Sequence, residues 1–210
     1  YTVQAGDTIP SLAAHFNTSA DEIYEANPFI PRDAATMPPG MPMQIPIYYL
    51  PLWGSQFQII PDHTIVYGPS GVGFNTSAFV TSQPGWINGV YTWAGRDNRN
   101  GAQIVDYVAV NYSINPRLLL ALLEYQAGAL SQPEKPVERY MLGFEKIYYE
   151  SMYLQLVGAA NTLNNAYYRW RDGSLTEFEL KDGSLVRLDP WQNAASAALQ
   201  YYFSQTLSVD

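Results

Sequence analysis

Hydrophobic and polar positions along this chain change period more than once. In "YTVQAGDTIPSLAAHFNTSADEIYEANP" the first four residues alternate like a short strand, and Gly6-Asp7 makes a turn. From Thr8 the spacing becomes helical, with Ile9, Leu12, Ala13 and Phe16 on one face and Thr8 placed to cap the helix. Ser19 and Glu22 have the spacing of a capping box, which opens a second helix with Ile23 and Ala26 turned inward. Asn27-Pro28 stops that helix, Pro39-Gly40 turns the chain, and residues 43–47 return as a strand. The predicted order is strand, helix, helix, strand.

Between residues 48 and 94 the helical period is lost. Pro, Gly and aromatics dominate, and "FQIIPDHTIVYGPS" is β-branched but interrupted by Pro61 and Pro69. Trp53, Phe57, Phe74, Phe79, Trp86 and Trp93 call for burial, so this segment is expected to wrap the region that follows it.

The helical period returns with Ile104, Val105, Val108 and Ala109. In "PRLLLALLEYQAG" six consecutive apolar residues, 118–123, leave no polar stripe, so a buried central helix is expected. Asn115 and Pro116 open it and Gly128 ends it. Glu124 falls in its last turn, on the side of Arg117, Leu120 and Ala121. Partial burial and the negative end of the helix dipole are both expected to raise its pKa. A carboxylic acid kept protonated near neutral pH is what protonating a glycosidic oxygen requires. Farther on, "RDGSLTEFELKDGSLVRLDP" reads as a hairpin with a tight primed turn at Asp182-Gly183 and Phe178, Leu180, Val186 and Leu188 facing the core. Glu177 and Glu179 would lie on its other face. A last helix, residues 190–206, sets Ala194, Ala198, Tyr201 and Tyr202 at packing intervals.

Composition narrows the chemistry. The chain has 210 residues, 47% hydrophobic and 14% charged, which describes a folded protein. No cysteine is present, so disulfides and thiol nucleophiles are excluded, and two distant histidines, His15 and His63, argue against a metal centre. No metal and no organic cofactor is expected. A net charge of −8, with residues 1–46 carrying five acids against one Arg, disfavours a nucleic-acid partner. No apolar run is long enough to span a membrane. "NTS" at Asn17 and Asn75 and "NYS" at Asn111 match glycosylation acceptors, although matches this short arise by chance.

Residues 1–46 resemble a LysM domain, on "YTVQAGDTI", "LAAHF", "ADEIYEANP" and "PPGMPMQIP" in the family's order, with Pro10 as a departure that a first helical turn tolerates. The resemblance implies binding of peptidoglycan or another N-acetylglucosamine-containing glycan. It also implies a groove with Gly6, Asp7, Thr8 and Ile9 on one wall and Asn27, Pro28, Phe29 and Ile30 on the other, Ile9 and Phe29 contacting sugar faces. A structural role as turn, cap and helix stop is the alternative for Asp7, Thr8 and Asn27.

"YSINPRLLLALLEYQAG" resembles the catalytic-helix region of lytic transglycosylases and goose-type lysozymes, and "LVGAANTLNNAYYRW" is loosely similar to a later helix of that family. The resemblance implies Glu124 as acid and base, with Asn164, Tyr167 and Tyr168 lining the cleft and Tyr168 assisting catalysis. Tyr125 stands where the family has Ser, and the family's Gly-Leu-Met-Gln stretch is absent. Glu145, Glu150, Asp97 and Asp172 remain open as a second carboxylate.

The sequence reading is therefore an α+β protein: a small βααβ LysM domain (1–47), an irregular segment (48–94), and a mainly α lysozyme-like domain with a β-hairpin (95–210). Its expected function is a secreted, bacterial cell-wall hydrolase cutting the MurNAc-GlcNAc β-1,4 bond. The alternatives are a non-catalytic peptidoglycan-binding scaffold and an N-acetylglucosaminidase. The ending at Asp210 suggests a further C-terminal domain beyond this chain.

Overall fold

A computed structural model describes residues 1–16, 18–34, 36–46, 58–146, 148–189 and 191–207. It is an α+β protein with two separate hydrophobic cores.

The first core gathers Val3, Ile9, Leu12, Ala13, Ile23, Ile30, Met37 and Met43. Helix α1 (Ile9–His15) starts at Thr8, whose side chain accepts the Ser11 N–H while Ser11 returns a bond to Thr8. Helix α2 (Ala20–Ala26) starts at the expected Ser19–Glu22 capping box. The two strands shrink to a single bridge, Thr2 with Pro42, flanked by Val3 N–H to the Met41 carbonyl at 3.0 Å and Met43 N–H to the Tyr1 carbonyl at 2.9 Å. Pro42 has no N–H to donate, which keeps this pairing short. Ile47 and Asn17 lie outside the described residues.

The second core is built on four helices: α4 (Gly101–Tyr112), α5 (Pro116–Ala127), α6 (Met152–Arg171) and α7 (Ala194–Thr206), with α6 packed along α7 and across α4. Small residues permit the α6–α7 approach: Gly158, Ala159 and Ala160 on one helix, Ala194, Ala195, Ala197 and Ala198 on the other, all buried. Ile104, Val105, Val108 and Ala109 of α4 are buried as their spacing predicts. Helix α5 corrects the expectation of all-round burial. Leu119, Leu120, Leu122 and Leu123 enter the core, while Arg117, Ala121 and Tyr125, spaced four apart, form a water-facing stripe. The central helix is α6.

The aromatic middle is more regular than its composition suggests. It contains α3 (Thr76–Thr81), three short 3-10 turns and a hairpin of β1 (Tyr91–Ala94) and β2 (Asp97–Asn100), so the expected division at 94/95 falls inside a hairpin. Ile65, Val80, Trp86, Ile87 and Ala94 join the helices in one core. Trp86 is buried and its indole N–H donates to the Ala127 carbonyl at 2.8 Å. Trp93 is 67% exposed, against the expectation of burial, because it shares the outer face of a two-stranded ribbon with Tyr91, which is equally exposed. Trp53 and Phe57 lie outside the described residues. Asn75 caps α3 by accepting the Ala78 N–H, and the Asn111 amide donates to the Tyr107 carbonyl, so both acceptor matches have local structural uses.

Strands β3 (Glu177–Glu179) and β4 (Leu185–Arg187) form the second hairpin. Phe178 and Leu188 are buried, and Leu180 and Val186 pack beside them. Its turn is a three-residue loop rather than the primed two-residue one: Gly183 N–H bonds to Leu180 O, Leu180 N–H to Ser184 O, and Gly183 takes φ +83°. That left-handed residue closes a type I turn with a bulge, and glycine adopts it without a Cβ clash.

Candidate functional site

In the N-terminal domain, Ile9 and Ile30 share one core and so draw together the two loops that the LysM resemblance makes a groove. Their side chains are 2% and 6% exposed, so the expected contact of Ile9 with a sugar face is corrected: the apolar core claims it. Phe29 is 62% exposed and Pro28 also faces water. Asn27 is fully buried. Its amide donates to the Ile23 carbonyl at 2.7 Å and to the Gln44 carbonyl, and its oxygen accepts the Gln44 N–H at 2.7 Å. This side chain ties the end of α2 to the returning strand. Asp7 accepts from the Gln4 N–H and the Tyr1 hydroxyl, each at 2.7 Å, beside Gly6 at φ +91°. Thr8 is the α1 cap. The surface left exposed by these commitments is Phe29, Pro28 and the backbone around Gly6.

Glu124 differs from the expected general acid. Its carboxylate accepts the N–H of Leu130 at 2.8 Å and of Ser131 at 3.2 Å. A hydrogen bond from the Ser131 side chain, then these backbone bonds, hold its carboxyl below the usual range, against an opposing effect of burial. The expected raised pKa is corrected, because donors aimed at the carboxylate outweigh its partial desolvation. Glu124 acts as an anionic clasp on the loop after α5, whose helix ends at Gly128 in the left-handed region.

The other residues implied by the lysozyme resemblance are engaged elsewhere. The Asn164 amide donates to the Tyr112 carbonyl at 2.6 Å, joining α6 to the end of α4. Tyr167 is 5% exposed, and burial raises its phenol pKa. Tyr168 is 54% exposed and packs edge-on against Tyr167. Among the described residues no hydrogen bond joins Glu124 to any of the three. Of the open second carboxylates, Glu150 pairs with Arg139, Asp97 accepts the Asn98 N–H, and Asp172 accepts the Ser174 N–H. Glu145 lines a groove described next.

The polar concavity of the second domain lies on a different face of α6. Gly158, Asn161, Asn165 and Arg169, spaced by three or four, together with Thr162 line a cavity of about 550 Å³ with the 143–146 loop and Tyr149. A second cavity of about 430 Å³ continues it under the β3–β4 hairpin, and the two share Arg169, Lys181, Tyr201 and Gln205. A Cβ on Gly158 would sit 3.0 Å from the Phe144 ring, so glycine there lets the loop close one wall. The sequence pointed to this Asn-rich helix but to Asn164 and the tyrosines. The missed signal was the polar stripe of Asn161, Asn165 and Arg169, spaced by four.

Among the described residues no group of three His, Asp or Glu is arranged to hold a metal. No helix among them is long and apolar enough to cross a membrane.

Residues 1–46 match the LysM domain family, and residues 58–210 match the family described as LasA, N-terminal domain. The second match stands where the sequence led us to expect a lysozyme-like domain. No curated protein and no solved structure matches the chain.

Proposed function

Because this chain belongs to the LasA N-terminal domain family over residues 58–210 and begins with a LysM domain, we propose that it is a peptidoglycan-binding module of a cell-wall hydrolase system. LysM supplies attachment to the N-acetylglucosamine-containing glycan, with Phe29 as its exposed aromatic contact. The helical domain is a non-catalytic scaffold in this reading, and the protein works in a bacterial cell wall. No cofactor takes part.

The observation that carries the non-catalytic assignment is Glu124. A lysozyme-type acid must hold a proton at the working pH and face an open cleft. Here the carboxylate is held ionised by donors from residues 130 and 131, and it lines neither cavity on α6. A glycosidase using Glu124 as its acid would have to protonate a carboxylate whose Oε2 already accepts both of these N–H groups.

Purified peptidoglycan incubated with the wild type and with Glu124→Gln tests this. The expected result is co-sedimentation of both proteins and release of no soluble muropeptides by mass spectrometry. Anhydro-muropeptides or reducing-end MurNAc released by the wild type and lost in the variant would establish the glycosidase instead. Reducing-end GlcNAc would indicate an N-acetylglucosaminidase. Failure to sediment with peptidoglycan or chitin would overturn the binding assignment.

A further inference from the structure

We propose that the groove along α6 and the β3–β4 hairpin is a second binding site, and that it takes the peptide stem of peptidoglycan. This rests on the peptidoglycan-binding reading above and names a ligand that LysM does not contact.

The chemistry of the lining selects the occupant. Arg169 and Lys181 sit where the two cavities join, with Glu177 and Glu179 on the hairpin side and Lys146 and Glu145 on the loop side. Cations and carboxylates are therefore equal in number and interspersed. A polyanion would meet three carboxylates, and a neutral glycan would leave six ionisable groups without a counterpart. A short peptide carrying both free carboxylates and a free amine matches both signs. Arg169 offers a planar fork for a carboxylate, and Lys181 a second cation beside it.

The neutral part of the lining also suits a peptide. Asn161 and Asn165 are exposed, and among the described residues their side-chain amides hold no hydrogen bond, so each can pair with a peptide C=O or N–H. Tyr149 and Tyr201 are half-buried and supply apolar ring surface beside them.

Position links this groove to the glycan-binding domain. Arg169 donates to the Ser174 carbonyl at 3.2 Å, and the neighbouring Gly173 lies against His15 at the end of α1, where a Cβ would fall 2.7 Å from Nδ1. Helix α1 has seven residues, so its glycan-side start lies only about 10 Å from that contact. The glycan-binding domain thus meets the chain at Gly173, four residues beyond the groove residue Arg169, and two sites on one polymer would add by effective concentration.

The test uses the full chain with three probes: intact peptidoglycan, the same glycan after an amidase has removed the stems, and chitin. The wild type is expected to bind intact peptidoglycan about tenfold more tightly than the stripped glycan, a difference worth one decade in Kd. The double variant Arg169→Ala/Lys181→Ala is expected to lose that advantage and to bind stripped glycan and chitin as the wild type does. Lys181→Glu, at an exposed position, gives the same direction if the Arg169 change disturbs the Ser174 turn, and thermal unfolding reports that disturbance. Equal wild-type binding to intact and stripped glycan overturns the proposal, as does an equal loss by the variants on both. Wild-type binding to intact peptidoglycan alone, abolished in the double variant, would instead retain this site and remove the LysM assignment.

Discussion

The Glu124 carboxylate accepts the backbone N–H of Leu130 at 2.8 Å, across the turn that ends α5. This bond and its companion to Ser131 tie the carboxylate to the loop that follows the helix. Its pKa is lowered in the folded state. The stabilisation is therefore fully present above the unfolded carboxylate value, about 4.3, and is lost as pH falls through the lower folded value. Glu124→Gln is expected to cost about 1 kcal/mol near neutral pH, reduced from a fully buried case by solvent screening. Urea unfolding at neutral and at acidic pH checks this: the gap between wild type and variant should close on acidification. A variant as stable as wild type at neutral pH would contradict it.

Asn27 carries the join between α2 and the returning strand, with three hydrogen bonds from one buried amide. Asn27→Ala leaves the Ile23 carbonyl and both Gln44 backbone groups short of partners, at a cost of about 2 kcal/mol. Hydrogen exchange in the full chain should speed up in residues 1–46 while the helices of the second core stay protected.

Phe29 offers the opposite case. At 62% exposure it contributes little to folding, so Phe29→Ala should change stability by less than about 0.5 kcal/mol. Chitin-oligosaccharide titration should show binding weakened by about tenfold, in the range of an aromatic contact truncated at a binding surface. Unchanged affinity would remove Phe29 from the sugar contact.

Asp62 caps a helix more than a hundred residues away. Its carboxylate accepts the Ala195 N–H at 2.8 Å and the Asn193 amide at 2.7 Å, at the start of α7, where Asn193 makes no side-chain cap bond of its own. Asp62→Ala should cost about 1 kcal/mol, as for the loss of an N-cap. Faster exchange confined to the first turn of α7 would locate the loss.

Local chemistry made much of this architecture legible. Thr8, Ser19, Asn115 and Gly128 mark helix ends because their side chains, or the lack of one, act within a few residues. The buried face of α4 follows from a 3.6-residue period in the same way. The hairpin's core face was legible too, but its turn geometry was not: Asp182-Gly183 fits both a primed turn and the three-residue loop found.

What only tertiary structure decided is where side chains find partners distant in sequence. Six apolar residues in a row suggested that α5 is central, yet neighbours cover one side of it and leave Arg117, Ala121 and Tyr125 to water. Asn164 and Asn165 look alike in sequence, but one bonds to Tyr112 and the other lines a groove, because successive helix positions point about 100° apart and packing fixes which faces inward. Glu124 is the clearest case. Its place in the helix was readable from the sequence, and so was the dipole that would raise its pKa, but not the fold-back of residues 130 and 131 onto it. Hydrogen bonds act over about 3 Å, so a carboxylate's ionisation depends on which donors the folded chain delivers, and only the packed loop supplied them.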